Sequence, residues 1–246
     1  AMNEQGFYFL PNTISGWVFV YNPKVLESLG YDTTYNLRSG LPQGFETWEK
    51  IFSKSPELLK ELDYVFPITF KDQDSFYPFL TSGKWTLNFQ HSVSGFGFKT
   101  REFNEGLAFI EFLRDVEITK GKEKSSDLEW AYDKAFYERK TAFSLMHASF
   151  YRKDFADEMV IAPFPTFNGH QMSPMGEVNG YAVMKKSSFP SASAEALRIL
   201  RSPEMLSEYV SADGKEIIYH RNYFDDLDLS KDRLQSILAY NFHDTE

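Results

Sequence analysis

The chain has 246 residues, of which 42% are hydrophobic and 17% aromatic, and its formal net charge is −9. This length and this hydrophobic content predict one large or two modest folded domains. The absence of cysteine excludes disulfides, thiolate metal ligands and cysteine nucleophiles, and the acidic balance, with no basic cluster larger than Lys185-Lys186, argues against a nucleic-acid partner.

The predicted elements alternate between strands and helices. Apolar runs predict the strands, while Pro23, Gly30 and Thr47 are start or stop signals at their ends. In chain order we predict strands at 7–11 and 16–22, helices at 24–29 and 48–54, a capped helix start at 55–57, a strand at 65–70, a loop at 71–77, helices at 79–82, 104–116 and 128–136, strands at 142–146 and 181–184, and helices at 191–200, 202–210 and after 230. This alternation is typical of an α/β protein.

The segment 128–151 combines a helix, a buried strand and an aromatic loop. Apolar residues at 128, 131, 132, 135 and 136 have the spacing of one buried helical face. The strand at 142–146 leads directly into His147, Phe150 and Tyr151. Because open α/β sheets bind ligands where strands end, this loop is the first candidate binding site.

Seven short segments occur in one order along the chain. They are VFVYNP at 18–23, Pro42 followed by Thr47-Trp48, the helix at 104–116, the stretch 136–146, APFP at 162–165, the stretch 176–186, and the helices at 195–210 with Ser202-Pro203-Glu204 between them. In this order they resemble the extracellular solute-binding proteins of ABC importers, in the sugar-binding family 1 typified by maltodextrin-binding protein. Arg139 replaces the glycine of the family pattern, and Phe143 replaces its methionine.

The resemblance implies an α/β fold of the type II periplasmic-binding-protein kind, with a mixed β-sheet flanked by helices. Family members are longer and have two lobes, and the matching segments cover mainly the C-terminal lobe. On this basis we expect hinge and crossover strands at 1–22 and an α/β ligand-binding lobe at 23–176. We expect residues 177–246 to form a second hinge strand, followed by helices that pack on a first lobe and then return from it.

The resemblance also implies a function. It predicts a receptor that binds a carbohydrate, an oligosaccharide above all, by cleft closure between lobes, without catalysis and without a cofactor or metal. The implied partners are the sugar and the permease subunits of the transporter, and the receptor is expected to be a monomer. It would be extracytoplasmic, either a membrane-tethered lipoprotein or periplasmic, although no signal segment opens this sequence and no apolar stretch is long enough to span a membrane.

Sugar binding needs stacking rings and paired polar groups. A sugar hydroxyl buried without a partner costs about 1–3 kcal/mol. The resemblance places ligand contacts at Asp74, Phe76 and Tyr77 of the predicted loop, at His147, Phe150 and Tyr151, and at Ser15, Trp17, Glu177 and Asn179 of the hinge segments. Each has a structural alternative: a solvated turn with tucked aromatics for the loop, a histidine at a strand end for His147, and a core position for Trp17.

The sequence is also compatible with other functions. One is an effector-sensing domain of a cytoplasmic transcriptional regulator, and another is an interaction module without a ligand. A glycosidase would need a defined spacing between two carboxylates, such as Asp74 and Glu177. The sequence has no nucleophile elbow, phosphate loop or zinc-protease motif, and its five histidines are widely spread.

Overall fold

The computed structural model describes residues 2–3, 6–7, 10–67, 73–83, 85, 97–115, 132–172, 174, 176–211, 217–218, 234 and 236–238. The chain divides into two compact units: unit 1 contains Ala1–Gly16 and Gly176–Glu246, and unit 2 contains Trp17–Met175. The assignment of hinge strands, a ligand-binding lobe and returning helices to 1–22, 23–176 and 177–246 stays a prediction.

The longest described elements are a strand of 12 residues and a helix of 15 residues. The strands are β1 (Met2–Asn3), β2 (Gly6–Phe7), β3 (Leu10–Tyr21), β4 (Phe143–His147), β5 (Val160–Ala162), β6 (Gly176–Tyr181) and β7 (Ile217–Ile218). The helices are α1 (Pro23–Ser28), α2 (Trp48–Ser53), α3 (Ser55–Leu58), α4 (Gln73–Leu80), α5 (Arg101–Asp115), α6 (Tyr132–Tyr137), α7 (Pro190–Leu200) and α8 (Pro203–Ser211).

Strand β3 organises the sheet in both units. Its residues 17–21 are each at most 4% exposed, which confirms the predicted buried strand. In unit 2, β4 pairs with residues 17–21 and β5 with residues 19–21. In unit 1, β6 pairs with the first part of β3, and β7 pairs with Thr13 and Ile14. All four of these pairings are antiparallel, and residues 13–14 and 19–21 of β3 have a paired strand on each side.

The core of unit 2 is built from aromatic rings around Trp48. This side chain is fully buried, and its ring centroid lies 4.8 Å from that of Phe66 and 5.5 Å from that of Phe79. The indole N–H donates to the Sδ atom of Met172 at 2.7 Å, so its one polar group has a partner inside the core. Trp48 is therefore a packing residue of the core.

The prediction of a loop at 71–77 is wrong for residues 73–77, which the structure describes as helical. Helix α4 begins at Gln73 and continues through Pro78 to Leu80. A proline inside a helix removes one backbone hydrogen bond, which is why the sequence favours a loop here. Phe79 is fully buried and packs 5.8 Å from Phe109 of α5, and this burial offsets the lost bond. Residues 71 and 72 lie outside the described part of the chain.

Of three helix starts predicted from the sequence, one agrees with the structure and two differ from it. Thr47 caps α2 as predicted, because its hydroxyl accepts the N–H of Lys50 at 3.3 Å. Ser55 does not cap α3: it is the first residue of the helix, and Lys54 precedes it without a side-chain cap. Helix α5 begins at Arg101, three residues earlier than predicted, because the Thr100 hydroxyl accepts the Phe103 N–H at 3.2 Å.

Two strand predictions also differ from the structure. Residues 65–67 are not a strand, although Val65 and Phe66 are core residues, and 68–70 lie outside the described residues. The strand predicted at 181–184 instead occupies Gly176–Tyr181. Its register is set by β3, whose first residue Leu10 pairs with Tyr181, so the pairing stops there.

Candidate functional site

Strand β4 ends in a 3-10 turn that His147 caps. His147 is the last residue of β4 and is half-buried. Its Nδ1 atom accepts the backbone N–H of Ser149 at 3.3 Å and lies 2.7 Å from the Ser149 hydroxyl oxygen. Because a backbone N–H can only donate, Nδ1 is the acceptor of the bond from the Ser149 amide. His147 thus stabilises the turn Ala148–Phe150 in addition to being a candidate ligand contact.

Three aromatic rings form a row at this end of the sheet. Trp17 pairs with His147 across β3 and β4, and their ring centroids are 5.5 Å apart, edge to face. His147 in turn lies 6.4 Å from Phe150, again edge to face. Trp17 is 4% exposed and Phe150 is 44% exposed, so the row runs from the core to the surface. Phe150 presents the ring surface that a ligand can reach, and half-buried Tyr151 follows it.

Tyr137 of α6 also contacts this loop. The sequence did not indicate this role. Its hydroxyl donates to the backbone carbonyl of Phe150 at 2.7 Å and lies 3.5 Å from Sδ of Met146. Arg152 lies over its ring at 4.9 Å from the centroid, and the Phe155 ring meets it edge to face at 5.0 Å. Burial raises the pKa of the Tyr137 phenol to about 12, so it is a hydrogen-bond donor throughout the neutral range.

Helix α6 ends in a left-handed turn at Arg139, the position where the family pattern has glycine. Arg139 has φ of 58°, and its N–H bonds the Phe136 carbonyl while the Lys140 N–H bonds the Ala135 carbonyl, both at 2.9 Å. This bonding closes the end of a helix. Because Arg139 is not glycine, it adds a side chain that pairs with both carboxylate oxygens of Glu158, at 2.7 and 2.8 Å.

Glu158 is the anionic centre of a small network beside α6. The hydrogen bonds from Arg139 are the main cause that lowers its pKa to about 2, with further contributions from the Asn22 side chain and from Lys24. The Lys24 ammonium nitrogen is 3.8 Å from a Glu158 oxygen. The network ties the segment after the candidate loop to α1 and to the end of α6.

The other predicted contacts of unit 2 lie on α4. Asp74, Phe76 and Tyr77 are helical residues rather than loop residues. Tyr77 is half-buried, and its ring centroid is 6.0 Å from that of buried Trp85. For Asp74 and Phe76 the structure describes the backbone, so their predicted ligand contacts stay predictions.

The predicted contacts of unit 1 lie on paired strands. Ser15 of β3 is the register partner of Glu177 of β6, and Thr13 is the partner of Asn179. Ser15 is buried at 4% exposure, whereas Glu177 and Asn179 are exposed. The structure thus brings Ser15 and Glu177 together within unit 1, and Trp17, His147 and Phe150 together within unit 2.

Among the described residues, no group of three or more histidine and acidic side chains is arranged to hold a metal ion. None of the described helices has the length and apolar character needed to cross a membrane.

Comparison with known proteins identifies the fold. Neither a family model nor a curated protein matches the sequence. Among solved structures, the chain is similar to an ABC transporter solute-binding protein from Thermotoga lettingae TMO bound with α-D-tagatose. The TM-score is 0.68 at 14% sequence identity, and the match covers 96% of this chain and 60% of that chain.

The chain therefore has the α/β fold of ABC transporter solute-binding proteins, which confirms the predicted fold class. It spans 60% of the length of the protein from Thermotoga lettingae. An identity of 14% establishes the fold alone, so the ligand and the partners of this chain are matters for proposal.

Proposed function

We propose that this chain binds a carbohydrate as part of the solute receptor of an ABC transporter. The observation that carries the proposal is the Phe150 ring, 44% exposed, beside the His147–Ser149 hydrogen-bonded pair at the end of β4. A sugar presents flat C–H faces to aromatic rings and hydroxyls to polar groups, and this loop places both kinds of group side by side. The fold shared with a sugar-bound solute-binding protein supports the same assignment.

In the proposed site, Phe150 or Tyr151 stacks on a sugar ring and His147 contributes a hydrogen bond. Within unit 2 the remaining proposed contacts are Asp74, Phe76 and Tyr77 of α4 and Trp17 of β3. Within unit 1 the proposed ligand contacts are Ser15 of β3 and Glu177 and Asn179 of β6. Polar residues are needed in such a set because each unpaired buried hydroxyl would cost about 1–3 kcal/mol. The proposed ligand is a carbohydrate, an oligosaccharide above all.

The proposal extends to the complete receptor. The ligand stabilises a closed form through contacts that exist only after closure, which is how binding can drive a two-state change. The closed form then docks on the permease subunits of the transporter. This role places the receptor outside the cytoplasm, as a lipoprotein or a periplasmic protein.

Calorimetry on the full-length protein with a panel of sugars that includes D-tagatose and maltose tests this function. We expect binding, and we expect Phe150→Ala to weaken it about tenfold through loss of the stacking ring. Phe189→Ala is the matched control, because Phe189 is another exposed phenylalanine, 74% exposed, that lies in unit 1. Absence of binding to every sugar would show that the carbohydrate assignment is wrong, and an unchanged affinity of Phe150→Ala would place the site elsewhere.

A further inference from the structure

The chain that leaves the candidate loop wraps around one side chain of α6. Tyr137 contacts this chain at three successive points: the Phe150 carbonyl, the Arg152 guanidinium and the Phe155 ring. The Phe150 carbonyl meets the hydroxyl, the Arg152 guanidinium lies over the ring face, and the Phe155 ring stands perpendicular to the phenol ring. A tyrosine makes such contacts at low entropic cost, because two torsion angles fix the position of its ring and its hydroxyl oxygen.

The neighbours of Tyr137 are themselves held in place. Arg152 donates to both carboxylate oxygens of Asp154, at 3.1 and 2.6 Å, which orients the guanidinium over the phenol. Arg139 pairs with Glu158 and also lies 5.6 Å from the centroid of the Phe155 ring. Both arginines that lie over rings next to the loop are thus paired with a carboxylate.

We propose that Tyr137 is a positioning residue of the candidate sugar site. Its hydroxyl fixes the Phe150 carbonyl and thereby the backbone from which the exposed Phe150 ring projects. His147 holds the amide of Ser149 at the start of the turn, and Tyr137 holds its last carbonyl, so both ends of the three-residue turn are fixed by side chains. This inference rests on the proposed function, because it concerns the same site.

The test compares Tyr137→Phe with wild type in the full-length protein. The variant removes one oxygen atom and keeps the ring under Arg152, so the packing is retained. We expect amide hydrogen exchange at residues 148–151 to become about 2- to 10-fold faster, the range expected for the loss of one hydrogen bond. We expect the dissociation constant for the tightest sugar of the panel to rise by a similar factor.

Tyr31→Phe is the matched control. It also removes a tyrosine hydroxyl from unit 2, one that donates to Glu57 at 3.0 Å. This control should leave both the exchange at 148–151 and the sugar affinity at wild-type values. Equal changes in the two variants would mean general loosening and would overturn the inference.

The two proposals fail in distinguishable ways. If wild type binds no sugar, the proposed function is wrong, and the exchange rates still show whether Tyr137 fixes the loop. If wild type binds sugar but Tyr137→Phe leaves the exchange at 148–151 unchanged, Tyr137 does not position the loop. If exchange rises while the sugar affinity stays constant, Tyr137 supports the loop without serving the site.

Discussion

Trp17 and His147 are register partners on adjacent antiparallel strands, and their rings meet edge to face with centroids 5.5 Å apart. This pair links the core strand β3 to the turn that presents Phe150. A ring pair of this kind contributes about 0.5–1.5 kcal/mol beyond simple burial. The imidazole also caps the turn through Nδ1, so His147 has two separable structural roles.

Substitution of His147 should separate those roles. His147→Ala removes both the cap and the ring, and we expect it to lower the free energy of unfolding by about 1–3 kcal/mol. His147→Asn loses the ring but keeps a side-chain oxygen that can accept the Ser149 N–H. Urea unfolding followed by fluorescence should therefore place His147→Asn between wild type and His147→Ala. Equal losses in the two variants would show that the cap contributes nothing.

Arg139 combines an unfavourable backbone with a favourable side chain. Left-handed backbone costs an L residue about 1–2 kcal/mol, and glycine avoids this cost. Arg139→Ala keeps the strained φ of 58° and loses the pair with Glu158, whereas Arg139→Gly loses the pair and relieves the backbone. We expect Arg139→Ala to have the lowest free energy of unfolding of the three proteins, measured by urea unfolding. Arg139→Ala as stable as Arg139→Gly would contradict this account.

The depressed pKa of Glu158 predicts a specific acid dependence. Its folded-state pKa is about 2, against an ordinary value of 4.5, so its carboxylate stabilises the fold fully above pH 4.5. That contribution is lost as the pH falls from 4.5 towards 2, because the unfolded state then takes up a proton that the folded state still excludes. The stability difference between wild type and Glu158→Gln should therefore shrink over this pH range in urea unfolding experiments.

A double-mutant cycle identifies the cause of that dependence. In an Arg139→Gln background, the pH-dependent part of the Glu158→Gln effect should become smaller, since Arg139 is the main cause of the low pKa. The contributions of Asn22 and Lys24 remain in both backgrounds. A pH dependence of the same size in both backgrounds would assign the effect to these two residues instead.

Gly106 is required by the close crossing of α4 and α5. A Cβ atom at this position would overlap the backbone carbonyl group of Leu80. At an ordinary helical site, replacing glycine by alanine gains about 1 kcal/mol. At this site we expect Gly106→Ala to lower the free energy of unfolding by about 1–3 kcal/mol, the usual cost of overpacking. Asn104→Ala, on an exposed position of the same helix, is the control and should be neutral or slightly stabilising.

Features that depend on neighbouring residues in the sequence were predictable. The run at 16–22 contains enough consecutive apolar side chains to specify a buried strand, and β3 occupies it through Tyr21. Thr47 caps α2 because a threonine hydroxyl reaches a backbone N–H three residues ahead. Ala135 and Phe136 are buried as their helical spacing predicts. The fold class followed from such elements and from the order of the family-like segments.

Features that depend on distant contacts were decided by the tertiary structure alone. Helix α4 continues through Pro78 because Phe79 packs against α5, a gain that no local signal reports. The end of β6 follows from its register with β3, and the Trp48 N–H finds its acceptor in Met172, 124 residues away. Tyr137 meets the Phe150 carbonyl because α6 and β4 pack side by side. The sequence by itself determined which short segments form strands and capped helices, because propensity and capping act over a few residues. Packing and strand register decided how the candidate site is held, because they join residues that are far apart in the chain.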